Sequence, residues 1–364
     1  MNGFSALISS NCTAARAQNI IRNLGLRRKT KITSTMKYIF SIVIMLSIFS
    51  AAAQNFRSKH FDMELLAPNV YAAIAKNGGA AICNAAVIDL GKEVLVFDPF
   101  MTPQAASDLL HFIQTSIKKP VKYVVNSHAH NDHIRGNQVF ENATIIATPF
   151  IAGSIMKTEP AEIADEKEQA PARVRYYDSL PPAKDSWQRT EDSIWMGYYT
   201  GMVASHPVLK TTLPTVLFSD SLTITGTNTT VQLITYGGGH TPGDIFLYLP
   251  AENIVFMGDL LFVNDHPWLG DGKPADWINY LQKVQQLNVK TLVPGHGAVG
   301  NGDDVEAMIN YMEAVGKIVT EARGQNISNE QILAKIPVQF TAWHLRNFFV
   351  PNVRILMSQQ QTKN

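Results

Sequence analysis

The sequence predicts an α+β fold in which two β-sheets pack face to face and carry helices on their outer faces. Three observations lead there. Short β-branched and aromatic segments followed by amphipathic helices occur twice along the chain. About 310 residues remain once a leader is set aside, room for one large α/β domain or two smaller ones. No linker rich in Pro, Gly or Ser and no internal repeat divides them.

The leader is residues 1–53. It holds seven basic residues and no acidic one. Met36-Lys37, the twelve-residue apolar run Tyr38 to Phe49 and the small residues Ser50 to Ala53 form the charged, apolar and cleavage regions of a secretory signal peptide, with cleavage expected after Ala53. Twelve residues fall short of the roughly 20 that a membrane-spanning helix needs, so no stable membrane anchor is expected. Residues 1–35 precede a natural initiator at Met36, and an upstream start assignment accounts for them better than an organellar transit peptide. The expected location is the periplasm or the outside of the cell. Without residues 1–53 the chain has 24 basic against 30 acidic residues, a net charge of about −6, which argues against a nucleic-acid partner. Cys83 is then the only thiol, so no internal disulfide and no Cys-rich zinc motif is available.

Val70 to Ala75, Ala80 to Leu90 and Glu93 to Phe97 read as consecutive strands joined at Gly78-Gly79 and Gly91-Lys92, an antiparallel meander. Thr102 to Ile117 is an amphipathic helix with Thr102 as N-cap and Pro103 in its first turn. Val121 to Asn126 and Thr144 to Thr148 follow as strands. The stretch 151–214 departs from this alternation, being richer in charge and Pro, with a polar helix at Glu162 to Ala170 and an aromatic patch at Trp195 to Tyr199. It reads as an insertion, equally well a mobile cover or a solvated excursion. Strands resume at Thr215 to Phe218, Leu222 to Ile224, Thr230 to Tyr236, Asp244 to Leu249 and Asn253 to Met257. Helices follow at Pro274 to Leu287 and Val305 to Glu321. The domain is expected over 54–320, with 321–364 a C-terminal extension packed on it.

Chemistry concentrates in His128-Ala129-His130-Asn131-Asp132-His133, directly after the strand Val121 to Asn126. A lone His is ordinarily a core or surface residue. Three His and an Asp in six positions, in a chain with ten His, are a metal site. Imidazole and carboxylate are the ligands Zn²⁺ favours. His128 and His130 can project to one side of such a loop and Asp132 and His133 to a second point, half of each of two ion sites. Three later segments place further ligand types in glycine-flanked strand-end turns: Gly239-His240-Thr241-Pro242-Gly243-Asp244, Gly258-Asp259 and Pro294-Gly295-His296-Gly297.

HAHNDH, GGGHTPGD, MGDLL and PGHG, in this order over Leu66 to Gly300, resemble the metallo-β-lactamase superfamily. The resemblance implies a four-layer αββα sandwich of two similar halves with metals at one edge. It implies His128, His130 and His240 around a first ion, Asp132, His133 and His296 around a second, and Asp259 bridging them. It also implies that Asp98, at the end of the Leu95-Val96-Phe97 strand, orients a ligand His. Two departures stand out: Arg135-Gly136 where many relatives have Gly-Gly, and Asp259 where zinc β-lactamases usually carry Cys or Ser. The Asp is more similar to glyoxalase-type thioesterases, lactonases and exported hydrolases of undefined substrate.

The expected function is an exported dinuclear zinc hydrolase, with iron or a mixed pair as the other loading. A metal-bound hydroxide, oriented by Asp132, attacks the carbonyl of an ester, thioester, lactone or β-lactam small-molecule substrate. An iron-dependent redox or oxygen enzyme is the alternative, but di-iron members usually replace a motif His with Glu, and His130 is intact. A non-catalytic member is disfavoured because all seven ligands are present. Oligomeric state is not legible.

Overall fold

The computed structural model describes residues 56–361. The expected leader, its cleavage point and Cys12 lie outside the described residues. Among the described residues no helix is long and apolar enough to cross a membrane.

The elements are β1 (Phe61–Ala67), β2 (Val70–Ala75), β3 (Ala85–Asp89), β4 (Val94–Phe97), α1 (Pro103–Phe112), β5 (Val121–Val125), α2 (Asn131–Ile134), β6 (Thr144–Ala147), α3 (Pro149–Ser179), α4 (Ser186–Ser205), β7 (Val216–Leu217), β8 (Ser221–Thr225), β9 (Thr230–Ile234), β10 (Phe246–Leu249), β11 (Ile254–Phe256), α5 (Pro274–Gln285), β12 (Thr291–Val293), α6 (Gly302–Glu321), α7 (Asn329–Leu333) and α8 (Phe349–Gln361). One sheet runs β1-β2-β3-β4-β5-β6-β7 and the other β12-β11-β10-β9-β8. In each, an antiparallel meander ends in a helical crossover to a parallel strand: β4-α1-β5 in the first, β11-α5-β12 in the second.

The layers follow from strands buried on both faces. On β4, Leu95 and Phe97 join the core between the sheets, while Val94 and Val96 join the core under α1. On β11, Ile254 and Phe256 face the first sheet, and Val255 packs with Trp277 and Leu281 of α5 and Met308 of α6. Alternation with period two sends neighbouring side chains to opposite cores, which makes the αββα sandwich. Each fully buried side chain of this kind contributes roughly 1.5–3 kcal/mol.

Four elements differ from the sequence reading. A strand, β1, precedes Val70, and residues 80–84 form a loop before β3. Ile113 to Ile117 closes α1 as a π-type turn. The stretch 151–214 is largely two long helices, α3 and α4, packed on each other. Thr148 caps α3, Pro149 starts it, and Pro160 and Pro171 lie inside it. Its buried face carries Glu159 beside Ile151 and Ile155, so the apolar period that marks a helix in sequence is partly written in carboxylates. α4 packs inward through Trp195, and Gly197 permits this: a Cβ there would come within 2.6 Å of the Gly78 backbone. Trp195 is 8% exposed and belongs to the large core cluster together with Phe340, Leu345 and Phe349. Of the aromatic patch, Trp195 is packed core and Tyr198 and Tyr199 are half-buried against it. α7, α8 and the turns between them supply the remaining side chains of that cluster from residues 327–356.

Candidate metal centre

The parallel pairs decide where the ligand loops go. Phe97 pairs with Val125 on β4 and β5, and Phe256 with Val293 on β11 and β12. Strands that run together leave their sheet at the same edge. Asp98 and Ser127 to His133 therefore emerge side by side, and so do Asp259 and His296. His240 arrives on the β9–β10 loop, which the Asp244 carboxylate pins by accepting from the Gly239 and Thr241 amides and the Thr241 hydroxyl.

The imidazoles converge. Ligand atoms of His128, His130, His240 and Asp259 lie within 4.8 Å of one another, as do those of His133, Asp259 and His296. Asp259 belongs to both groups through different oxygens. Its Oδ2 is 3.4 Å from His240 Nε2 and 3.7 Å from His128 Nε2, while its Oδ1 is 3.0 Å from His133 Nε2 and 3.4 Å from His296 Nε2. Asp132 Oδ2 lies 3.3 Å from His296 Nε2 and 3.4 Å from His133 Nε2. All seven residues singled out in the sequence thus meet at one place.

Four of the five rings are oriented from behind. His133 Nδ1 faces Asp98 Oδ2 at 2.9 Å, and Asp98 Oδ1 accepts from the Ser127 amide at 2.7 Å. His128 Nδ1 meets the Ser127 hydroxyl, and His240 Nδ1 donates to the Trp268 carbonyl at 3.1 Å. His130 is turned the other way: its Nε2 donates to Asp271 Oδ2 at 3.1 Å, leaving Nδ1 to face His240 Nε2 at 2.9 Å. Backing of this kind fixes a tautomer and leaves the inward nitrogen with a free lone pair.

The residues fit divalent cations. His128 Nε2, His133 Nε2 and Asp259 Oδ1 are buried with no hydrogen-bond partner, a cost that native interiors avoid unless something else binds there. Burial opposes charge on Asp132 and Asp259, yet His133 and His296 hold both well below the usual carboxylate range. Burial pushes His240 down to about 3, leaving the neutral imidazole a metal requires. His296 is pushed up to about 10; burial works against this, and Asp259 and Asp132 overcome it. The two buried carboxylates hold protons on the neighbouring His133 and His296, positive charge that a divalent ion would supply in their place. Gly295 belongs to this packing, since a Cβ there would sit 2.0 Å from Asp259 Oδ1.

Several participants were not legible in sequence. Asp271 lies in a Trp-Leu-Gly-Asp-Gly loop that has no ligand spacing, and Trp268 acts through its backbone carbonyl. Asn84 ties the His296 turn by donating to Pro294 and Gly297 carbonyls. The Cys83 thiol donates to the Asp132 carbonyl at 2.9 Å, and burial pushes it up to about 12, so it serves as a protonated donor. Arg135, the departure after the His motif, is 3% exposed and binds Glu159 through Nε at 2.7 Å and Glu166 through a terminal nitrogen. Asn131 donates to Glu166 and to the Tyr198 hydroxyl. The motif helix α2 is in this way fastened to both insertion helices.

The sequence pattern of the metallo-beta-lactamase superfamily matches residues 78–296. Over 109 residues the chain is 35% identical to the metallo-beta-lactamase type 2 of Bacteroides fragilis, 28% of this chain and 44% of that protein. Over 68 residues it is 43% identical to a hydroxyacylglutathione hydrolase of Bartonella henselae, 19% of this chain and 26% of that protein. The chain therefore spans less than half the length of these curated relatives. A metallo-beta-lactamase structure from Pontibacter korlensis superposes with a TM-score of 0.52 at 17% identity, over 70% of this chain and 99% of that one; this likeness concerns the fold alone.

Proposed function

The chain belongs to the metallo-beta-lactamase superfamily, and from that premise we propose that it is an exported hydrolase with two zinc ions, acting on an ester, thioester, lactone or β-lactam. The observation that carries this reading is Asp259, whose two oxygens face two separate histidine groups. His128, His130 and His240 would hold one ion, Asp132, His133 and His296 the other, and Asp259 both. Matches to proteins named as a metallo-beta-lactamase and a hydroxyacylglutathione hydrolase support hydrolysis as the reaction class.

When bound, such ions polarise a carbonyl oxygen and lower the pKa of water from 15.7 to about 7. The chain's own residues do the rest. Asp132 lines the cavity above the centre and is the carboxylate that orients the attacking water and accepts its proton. Asp98, Asp271 and the Trp268 carbonyl keep the inward nitrogens aimed while charge shifts during the reaction. Trp195, Phe262 and Phe348 restrict water around the acyl group.

Metal analysis should find close to two ions per chain after zinc loading, with turnover of at least one of nitrocefin, a homoserine lactone, a glutathione thioester and an aryl ester. Asp259→Ala should lose metal and turnover together. A variant with full metal content and full rate would sink the shared-ligand assignment.

A further inference from the structure

The cavity above the centre has a volume of about 260 Å³, near the small end of ligand pockets, which run from roughly 300 to 1,000 Å³. The part of its wall away from the histidines is largely apolar: Ile82, Trp195, Phe262, Trp268, Leu345 and Phe348. The aromatic members brace one another, Phe348 standing 5.7 Å from Trp195 and 5.5 Å from Trp268 between ring centres. Ile82 and Leu345 hold left-handed backbone, with φ of 46° and 54°. That conformation is costly for a β-branched residue such as Ile82 and marks a side chain held against its local preference.

The second observation is charge. No Lys or Arg lines this cavity; its ionisable side chains are His130, His296, Asp132, Asp259, Glu162 and Tyr198, with Asn131 beside them. Glu162 is exposed at the rim, and no metal-ligand group includes it. Arg135 is bound to Glu159 and Glu166, and Arg346 lies over the Trp187 ring at 5.2 Å. A carboxylate on the part of the acyl arm that reaches away from the histidines would leave water for the apolar wall and face Glu162 at the rim.

We infer that the site is built for an uncharged, apolar acyl group, aryl or of medium chain length, and selects against acyl arms that carry a carboxylate. This deepens the hydrolase reading and rests on it. The ligands come from the strand-end loops of the sandwich. Much of the wall comes from the insertion helix α4 and the C-terminal extension, so the segments outside the two sheets set the acyl preference.

The test uses the zinc-loaded full chain with p-nitrophenyl acetate, butyrate, hexanoate and hemisuccinate, and measures quenching of tryptophan fluorescence by hexanamide and succinamate. From acetate to hexanoate, kcat/KM should rise by about fourfold per methylene, with hemisuccinate at least about tenfold below butyrate. Hexanamide should quench and succinamate should not. Glu162→Lys, an exposed change, should raise turnover of hemisuccinate relative to butyrate. Hemisuccinate equal to or better than butyrate, or succinamate binding as well as hexanamide, overturns the inference. If no ester is cleaved but hexanamide alone binds, the hydrolase reading falls and the acyl preference stands.

Discussion

Replacing Arg135 by Met removes the one cation that holds Glu159, a carboxylate on a residue only 2% exposed. Glu166 keeps Asn131 as a donor and is partly open to water, so the cost falls mainly on Glu159. Removing one partner of a buried pair costs about 3–5 kcal/mol, a large share of the roughly 5–15 kcal/mol by which domains are stable. Burial already raises the Glu159 carboxyl above its ordinary 4.5 despite Arg135, and without the guanidinium it rises further. A carboxyl raised in the folded state binds its proton more tightly there, so the variant regains stability as pH falls towards the ordinary value. Urea unfolding should therefore show a deficit of about 3–5 kcal/mol near pH 8 that shrinks towards pH 5. Arg135→Met/Glu159→Gln should recover most of the loss at both. A deficit that ignores pH, or a double variant no better than the single one, would refute the account.

Three further outcomes are expected. Asp271→Ala frees His130 Nε2 and with it the tautomer that turns Nδ1 inward, so zinc affinity should fall by about 10–100-fold in competition with a chelator, with the fold unchanged by circular dichroism. His266 is buried and its imidazole is pushed down to about 4 by burial and Arg346. The folded state thus binds fewer protons than the unfolded one below pH 6.5, and this residue should cost about 2 kcal/mol of stability between pH 7.5 and pH 5, a slope that His266→Gln removes in urea titrations. Trp195→Ala opens a hole in the large core cluster and should cost about 3–5 kcal/mol in chemical unfolding; a stability loss near zero would restore the picture of a loose cover.

By itself the sequence determined the strand-helix alternation, the two-sheet class and the seven candidate ligand residues that the structure brings together, because these rest on local signals: period two in Leu95-Val96-Phe97, a Pro after Thr102, His and Asp at spacings that loops alone can satisfy. Tertiary structure decided what local pattern cannot carry. Asp271 backs His130 across 141 positions of chain, and Arg135 fixes Glu159 and Glu166 on a helix whose inner face is partly ionic and so shows no apolar period. Trp195 meets Phe348 only when α4 and the turn before α8 fold over the same edge. Which end of each sheet bears the candidate metal centre follows from β4-β5 and β11-β12 being parallel, with Phe97 level with Val125 and Phe256 with Val293. Strand direction is a property of pairing between distant segments, and a residue-by-residue pattern does not encode it.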